Sequence, residues 1–153
     1  MPLTYTEPVD LCQSVPSKPL MNHQLNRKLA GTRNNKILIV DDDPILRLGL
    51  NVRLRASSYD LCFAHDGESA VVAAVAEKPD LIVLDIGLPR GDGYFVMQSI
   101  TALPDLADVP VIVLTARDGF THEKPCRDAG AKRFFEKPVD NRVLLTAIRE
   151  LVG

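Results

Sequence analysis

The run Leu81-Ile82-Val83-Leu84-Asp85 restricts the fold more than any other stretch of this chain. Four consecutive apolar residues follow the turn pair Pro79-Asp80 and offer no polar face to solvent. A strand buried on both sides belongs in a parallel sheet covered by helices. The run ends on a carboxylate and leads into Gly87-Leu88-Pro89-Arg90-Gly91-Asp92-Gly93, a loop whose glycines let backbone come close to a bound group. Open α/β sheets bind ligands outside the carboxyl ends of their strands. Asp85 is therefore the first candidate for chemistry, although a strand-end Asp taken alone more often serves to cap a turn.

A second buried run, Lys36-Ile37-Leu38-Ile39-Val40, ends in Asp41-Asp42-Asp43-Pro44. Asp43 before Pro44 has the grammar of a helix start, with Asp as N-cap and Pro at the first helical position, so a helix is expected from Ile45 to about Ala56. Asp41 and Asp42 are left as adjacent carboxylates that repel one another unless a cation lies beside them. Further along, a strand is expected over Tyr59–Ala64 and a helix opened by Asp66-Gly67 over about Glu68–Glu77. A third helix should run from Asp92-Gly93 to about Leu103. Val111-Ile112-Val113-Leu114 reads as a fourth buried strand that stops at Thr115-Ala116.

A fourth helix falls within Thr121–Ala129, closed by Gly130 at the C′ position. Pro125 lacks an N–H and its ring clashes with the carbonyl four residues earlier. The regular helix is therefore expected to begin near Lys124 or Pro125, with Asp118 to Glu123 irregular, and an interface on that face to be weak. Lys132–Glu136 forms the last strand, followed by Lys137-Pro138. Asp140 caps a closing helix whose Leu144, Leu145, Ile148, Leu151 and Val152 keep one apolar face.

Composition narrows the alternatives. A net charge of −2 argues against a general nucleic-acid surface, and no apolar run approaches the ~20 residues of a membrane span. Cys12, Cys62 and Cys126 lack the spacing of a zinc site or disulfide framework, and no secretory signal opens the chain, so reduced thiols in a cytoplasmic protein are expected. Residues 1–34, with Pro2, Pro8, Pro16 and Pro19 and no clear period, read as a flexible N-terminal arm ahead of a domain over 35–153.

Five strands alternating with five helices imply right-handed βαβ units around a parallel sheet. The carboxyl edge of that sheet gathers Asp41, Asp42, Asp85, Thr115 and Lys137. Carboxylates are hard oxygen ligands suited to Mg²⁺, and zinc is disfavoured because no His or Cys stands at a strand end. Beside such a cation Asp85 can act as a nucleophile toward phosphorus and form an aspartyl phosphate. Lys137 and the Thr115 hydroxyl would hold the phosphoryl oxygens, and Ala116 leaves room for them.

In these motifs the chain resembles the receiver domains of two-component response regulators. Ile37-Leu38-Ile39-Val40-Asp41-Asp42-Asp43-Pro44, Leu84-Asp85-Ile86-Gly87-Leu88-Pro89 with Asp92-Gly93, Val113-Leu114-Thr115-Ala116 and Glu136-Lys137-Pro138 follow that family's motifs in order and spacing. The resemblance covers about residues 36–152 and implies a flavodoxin-like, doubly wound, five-stranded parallel sheet of order 2-1-3-4-5. It also implies Asp85 as phosphoacceptor, and Asp41, Asp42, Asp85 and the Gly87 carbonyl as Mg²⁺ ligands, with Asp42 the more direct of the Asp41–Asp42 pair. Thr115 becomes the switch hydroxyl, Lys137 the phosphate's partner and Phe134 the switch aromatic, a position often held by Tyr. Gly87 and Arg117 occupy places that influence phosphate lifetime, and a cis Lys137-Pro138 peptide is expected.

The implied function is a phosphorylation-dependent switch fed by a histidine kinase or a histidine phosphotransfer protein. Such a switch is no conventional enzyme, since it catalyses only its own phosphoryl transfer and dephosphorylation. No output domain is expected after the closing helix, which suits a single-domain regulator or an excised module. The alternative is a pseudo-receiver scaffold that binds a partner without phosphorylation. Intact Asp85, Lys137 and acid pair weigh against it. An aspartyl-phosphate hydrolase would need a cap domain and a further acidic pair, and a dinucleotide enzyme would need G-x-G-x-x-G after the first strand.

Overall fold

The structure, a computed structural model, describes residues 34–87, 93–116 and 119–153. The expected arm, the Leu88–Asp92 loop, Arg117 and Asp118 lie outside the described residues. Within them the elements alternate as β1 (Lys36–Val40), α1 (Pro44–Ala56), β2 (Asp60–Ala64), α2 (Gly67–Glu77), β3 (Leu81–Asp85), α3 (Gly93–Thr101), β4 (Val111–Thr115), α4 (Gly119–Asp128), β5 (Arg133–Glu136) and α5 (Asn141–Val152). All strand pairs are parallel, in the order β2-β1-β3-β4-β5. This is the doubly wound sheet expected from the sequence, and its order reverses between β1 and β3.

Strand periodicity divides the apolar runs between two cores. On one face Leu38, Val40, Ile82, Leu84, Val111 and Val113 pack with Ala70 and Ala74 of α2, Val96, Met97 and Ile100 of α3, and Cys126 of α4. On the other, Ile37, Ile39, Leu81, Val83, Ile112 and Leu114 meet Leu50 and Leu54 of α1 and Leu144, Ala147, Ile148 and Val152 of α5. Burial on both faces explains why these strands read as unbroken apolar runs rather than alternating ones.

The helix starts follow local chemistry. The Asp43 carboxylate accepts from the Ile45 and Leu46 amides with Pro44 next in line, Asp66 forms a capping box with Ser69, and Asp140 accepts from the Arg142 amide. Gly130, at φ 112°, takes the left-handed conformation just beyond α4.

One expectation fails in α4. The helix runs without a break from Gly119 to Asp128 and carries Pro125 inside it, where a start at Lys124 or Pro125 was expected. The physical reason is that a proline costs the helix one hydrogen bond, while the turn that holds it seats the next residue, Cys126, fully buried in the first core. The Pro125 ring stays on the exposed side. Flanking pairs Lys124–Asp128 at 3.0 Å and Arg127–Glu123 at 2.8 Å support the turn around it. The premise for a weak face falls with the broken helix.

Candidate functional site

The carboxyl ends of β1 and β3 lie on either side of the point where strand order reverses, so the acids that follow them face one crevice. Carboxylate oxygens of Asp41, Asp42 and Asp85 lie within 4.8 Å of one another. Their surroundings differ: Asp41 is 1% exposed and Asp85 8% exposed, whereas Asp42 is open to solvent. The Asp43 amide donates to Asp41 Oδ1 at 2.8 Å, and the Gly87 amide donates to Asp85 Oδ1 at 2.9 Å. Each buried carboxylate therefore keeps its second oxygen for something else.

That something is Lys137. Its Nζ donates to Asp41 Oδ2 at 2.6 Å and to Asp85 Oδ2 at 3.3 Å, from 96 and 52 residues away in sequence. The side chain is brought inward by the turn after β5, where the Lys137-Pro138 peptide is cis, as expected, and the Lys137 amide donates to the Thr115 carbonyl at 2.6 Å. Burial disfavours charge on the lysine, yet hydrogen bonds and attraction from the two carboxylates outweigh it, and its pKa rises above the ordinary value. Burial likewise raises the pKa of Asp41, and here Lys137 and the Asp43 amide do not make good the loss of water. Among the described residues, three carboxylates thus face a single ammonium, an excess of negative charge.

Thr115 ends β4 beside this cluster and is buried at 3% exposure. Phe134 pairs with Val113 in the sheet register and packs, half-buried, against the first core, which places the aromatic inward. Asp41, Asp42, Asp85, Thr115 and Lys137 thus come together at one sheet edge, with Gly87 bonded to Asp85. Among the expected site residues, only the Arg117 position lies outside the described residues. Two contacts escape sequence reasoning. Lys137 lies closer to Asp41 than to Asp85, and Gly93 closes tightly on the turn after Asp85; no spacing rule encodes either.

The donor set is the kind Mg²⁺ takes: hard carboxylate oxygens, one of them solvent-accessible, around a partly open position. Among the described residues no helix is long and apolar enough to cross a membrane.

Fold and site together define a doubly wound α/β domain with an acidic crevice, closed by one lysine, at its topological switch point. Residues 37–149 match the response regulator receiver domain family, and the chain belongs to it. Response regulator MprA of Mycobacterium tuberculosis is 38% identical over 117 residues, which is 76% of this chain and 50% of that protein. The chain thus spans about half the length of the curated relatives it matches. Among solved structures, the receiver domain of sensor histidine kinase PA1611 from Pseudomonas aeruginosa is 30% identical with a TM-score of 0.72, covering 78% of this chain and 98% of that one. That structure holds a magnesium ion in its active site cleft. The BeF3-activated N-terminal receiver domain of Klebsiella pneumoniae RstA is 29% identical with a TM-score of 0.72, covering 77% and 98%.

Proposed function

We propose that residues 35–153 form a phosphorylation switch in which Asp85 accepts a phosphoryl group from the phosphohistidine of a histidine kinase or a histidine phosphotransfer protein. The observation that carries this reading is the meeting of three carboxylates within 4.8 Å of one another with an ammonium 3.3 Å from Asp85. An acid cluster that existed only for stability would be hard to account for, because like charges so close destabilise a fold.

Asp41, Asp42, Asp85 and the Gly87 carbonyl would hold Mg²⁺, which would supply charge neutralisation on the transferring phosphoryl group. The chain's own residues do the rest. The Gly87 amide holds one Asp85 oxygen, which leaves the other, 3.3 Å from Lys137 Nζ, as the nucleophile. That oxygen attacks phosphorus as the P–N bond to the donor histidine breaks, and the electron pair leaves with the imidazole. Lys137, already within reach of both buried acids, moves its hydrogen bonds onto the new phosphoryl oxygens, and the Thr115 hydroxyl takes another. Phe134, lacking a hydroxyl, then differs between its inward and outward positions by packing alone. The switch is its own substrate, and it works in the cytoplasm without contacting nucleic acid directly.

The test is incubation with acetyl phosphate and MgCl₂, followed by intact-mass measurement. One base-labile phosphate is expected on the wild-type chain and none on Asp85→Asn. Equal incorporation by Asp85→Asn would refute the assignment.

A further inference from the structure

Gly93 opens α3 and is buried. Its amide donates to the Ile86 carbonyl at 3.1 Å, joining the start of the helix to the residue after Asp85. The approach is so close that a Cβ on Gly93 would lie 2.7 Å from Ile86 Cα, 2.7 Å from Ile86 Cδ1 and 3.1 Å from the Asp85 carbonyl oxygen. Two of these three atoms are backbone and cannot turn aside as a flexible side-chain end could. Ile86 is held from the other side too, where its amide donates to the Leu114 carbonyl at 3.0 Å and continues the β3–β4 pairing. The backbone of Asp85 and Ile86 is thus gripped between β4 and the first turn of α3.

The next residue along is Gly87, whose amide bonds Asp85 Oδ1. Any displacement of Ile86 carries Gly87 with it, changing the direction of the Asp85 carboxylate and of the Gly87 carbonyl. From this geometry we infer that Gly93 is a positioning residue: its missing side chain lets α3 close on Ile86 and so aims the Asp85 carboxylate. The inference rests on the reading of Asp85 as the phosphoacceptor. It assigns Gly93 no contact with the phosphoryl group or the cation.

The test compares wild type, Gly93→Ala and a control, Gly49→Ala, whose added Cβ would meet nothing within 4 Å. Three quantities are read: the acetyl phosphate phosphorylation rate, Mg²⁺ affinity by calorimetry and the ¹⁵N–¹H resonance of the Gly87 amide. Gly93→Ala should remain folded but lose about tenfold in rate and in Mg²⁺ affinity, with the Gly87 amide shifted, because small misplacements of reacting and ligating groups cost that much. Gly49→Ala should match wild type in all three. A folded Gly93→Ala within twofold of wild type in rate and affinity overturns the inference.

If Gly93→Ala does not fold, Gly93→Ala/Ile86→Val is measured in the same way. It removes the contact to Cδ1 and keeps the one to Cα, so the defects should persist. Failure of both variants to fold would make the close approach a requirement of the fold, which also overturns the inference. If the wild-type protein takes up no phosphate, the acceptor reading fails instead, and Mg²⁺ affinity and the Gly87 resonance still decide the role of Gly93.

Discussion

Pro125→Ala should stabilise this protein. Pro125 sits inside α4, where residue 125 of a regular helix would donate its N–H to the carbonyl of Thr121, and the ring crowds that same carbonyl. Proline in a helix interior is about 3 kcal/mol less favourable than alanine. Its ring also stiffens the unfolded chain, an advantage of about 0.4–1 kcal/mol that alanine gives up. Pro125 is exposed, so its removal leaves no cavity, and the Lys124–Asp128 and Arg127–Glu123 pairs are untouched. The balance is a gain of about 2 kcal/mol. For a domain between the small and medium size classes this is a rise in Tm of about 6–10 °C. Urea and thermal denaturation followed by circular dichroism measure it, and hydrogen exchange at the new residue 125 amide should show protection. A variant no more stable than wild type, with a rapidly exchanging amide at 125, would refute the reasoning that α4 is a regular helix strained at this residue.

Asp41→Asn should stabilise the metal-free protein at pH 7, because it removes a buried carboxylate whose lost hydration exceeds what its partners return. A raised folded pKa means that the folded state holds the proton more tightly, so the penalty is complete above that pKa and fades as pH falls toward the unfolded value of 3.8. Denaturation in EDTA across pH should therefore show the gap between variant and wild type narrowing in acid; a gap that widens contradicts the burial argument. Adding Mg²⁺ at about 100 times its Kd should stabilise wild type by about 2.7 kcal/mol, seen as a rise in Tm that EDTA reverses. Asp42→Ala should weaken that response most, and tight Mg²⁺ binding by this variant would require a different ligand set. Asp66→Ala, which dismantles the capping box with Ser69 at the head of α2, should cost about 1 kcal/mol in urea denaturation. No measurable loss would mean that Ser69 and water satisfy the helix start by themselves.

The sequence by itself determined what depends on local composition. Runs such as Leu81–Leu84 and Val111–Leu114 are too apolar for anything but strands covered on both faces. Asp43-Pro44, Asp66 and Asp140 mark helix starts through hydrogen bonds spanning two or three residues. Since each strand's end is then known, the acids and the lysine at those ends are known to share an edge. The tertiary structure decided the matters in which distant segments compete with local preference. A rule worth about 3 kcal/mol against proline in a helix argued for a broken α4. The turns from Gly119 onward form despite it, with Pro125 exposed and Cys126 buried against the sheet. The close approach of Gly93 to Ile86 and the choice of Lys137 between Asp41 and Asp85 likewise depend on how the sheet and helices pack to a few tenths of an ångström. Residue spacing carries no record of distances that fine, because they are set by the sum of many long-range contacts rather than by any residue's neighbours in the chain.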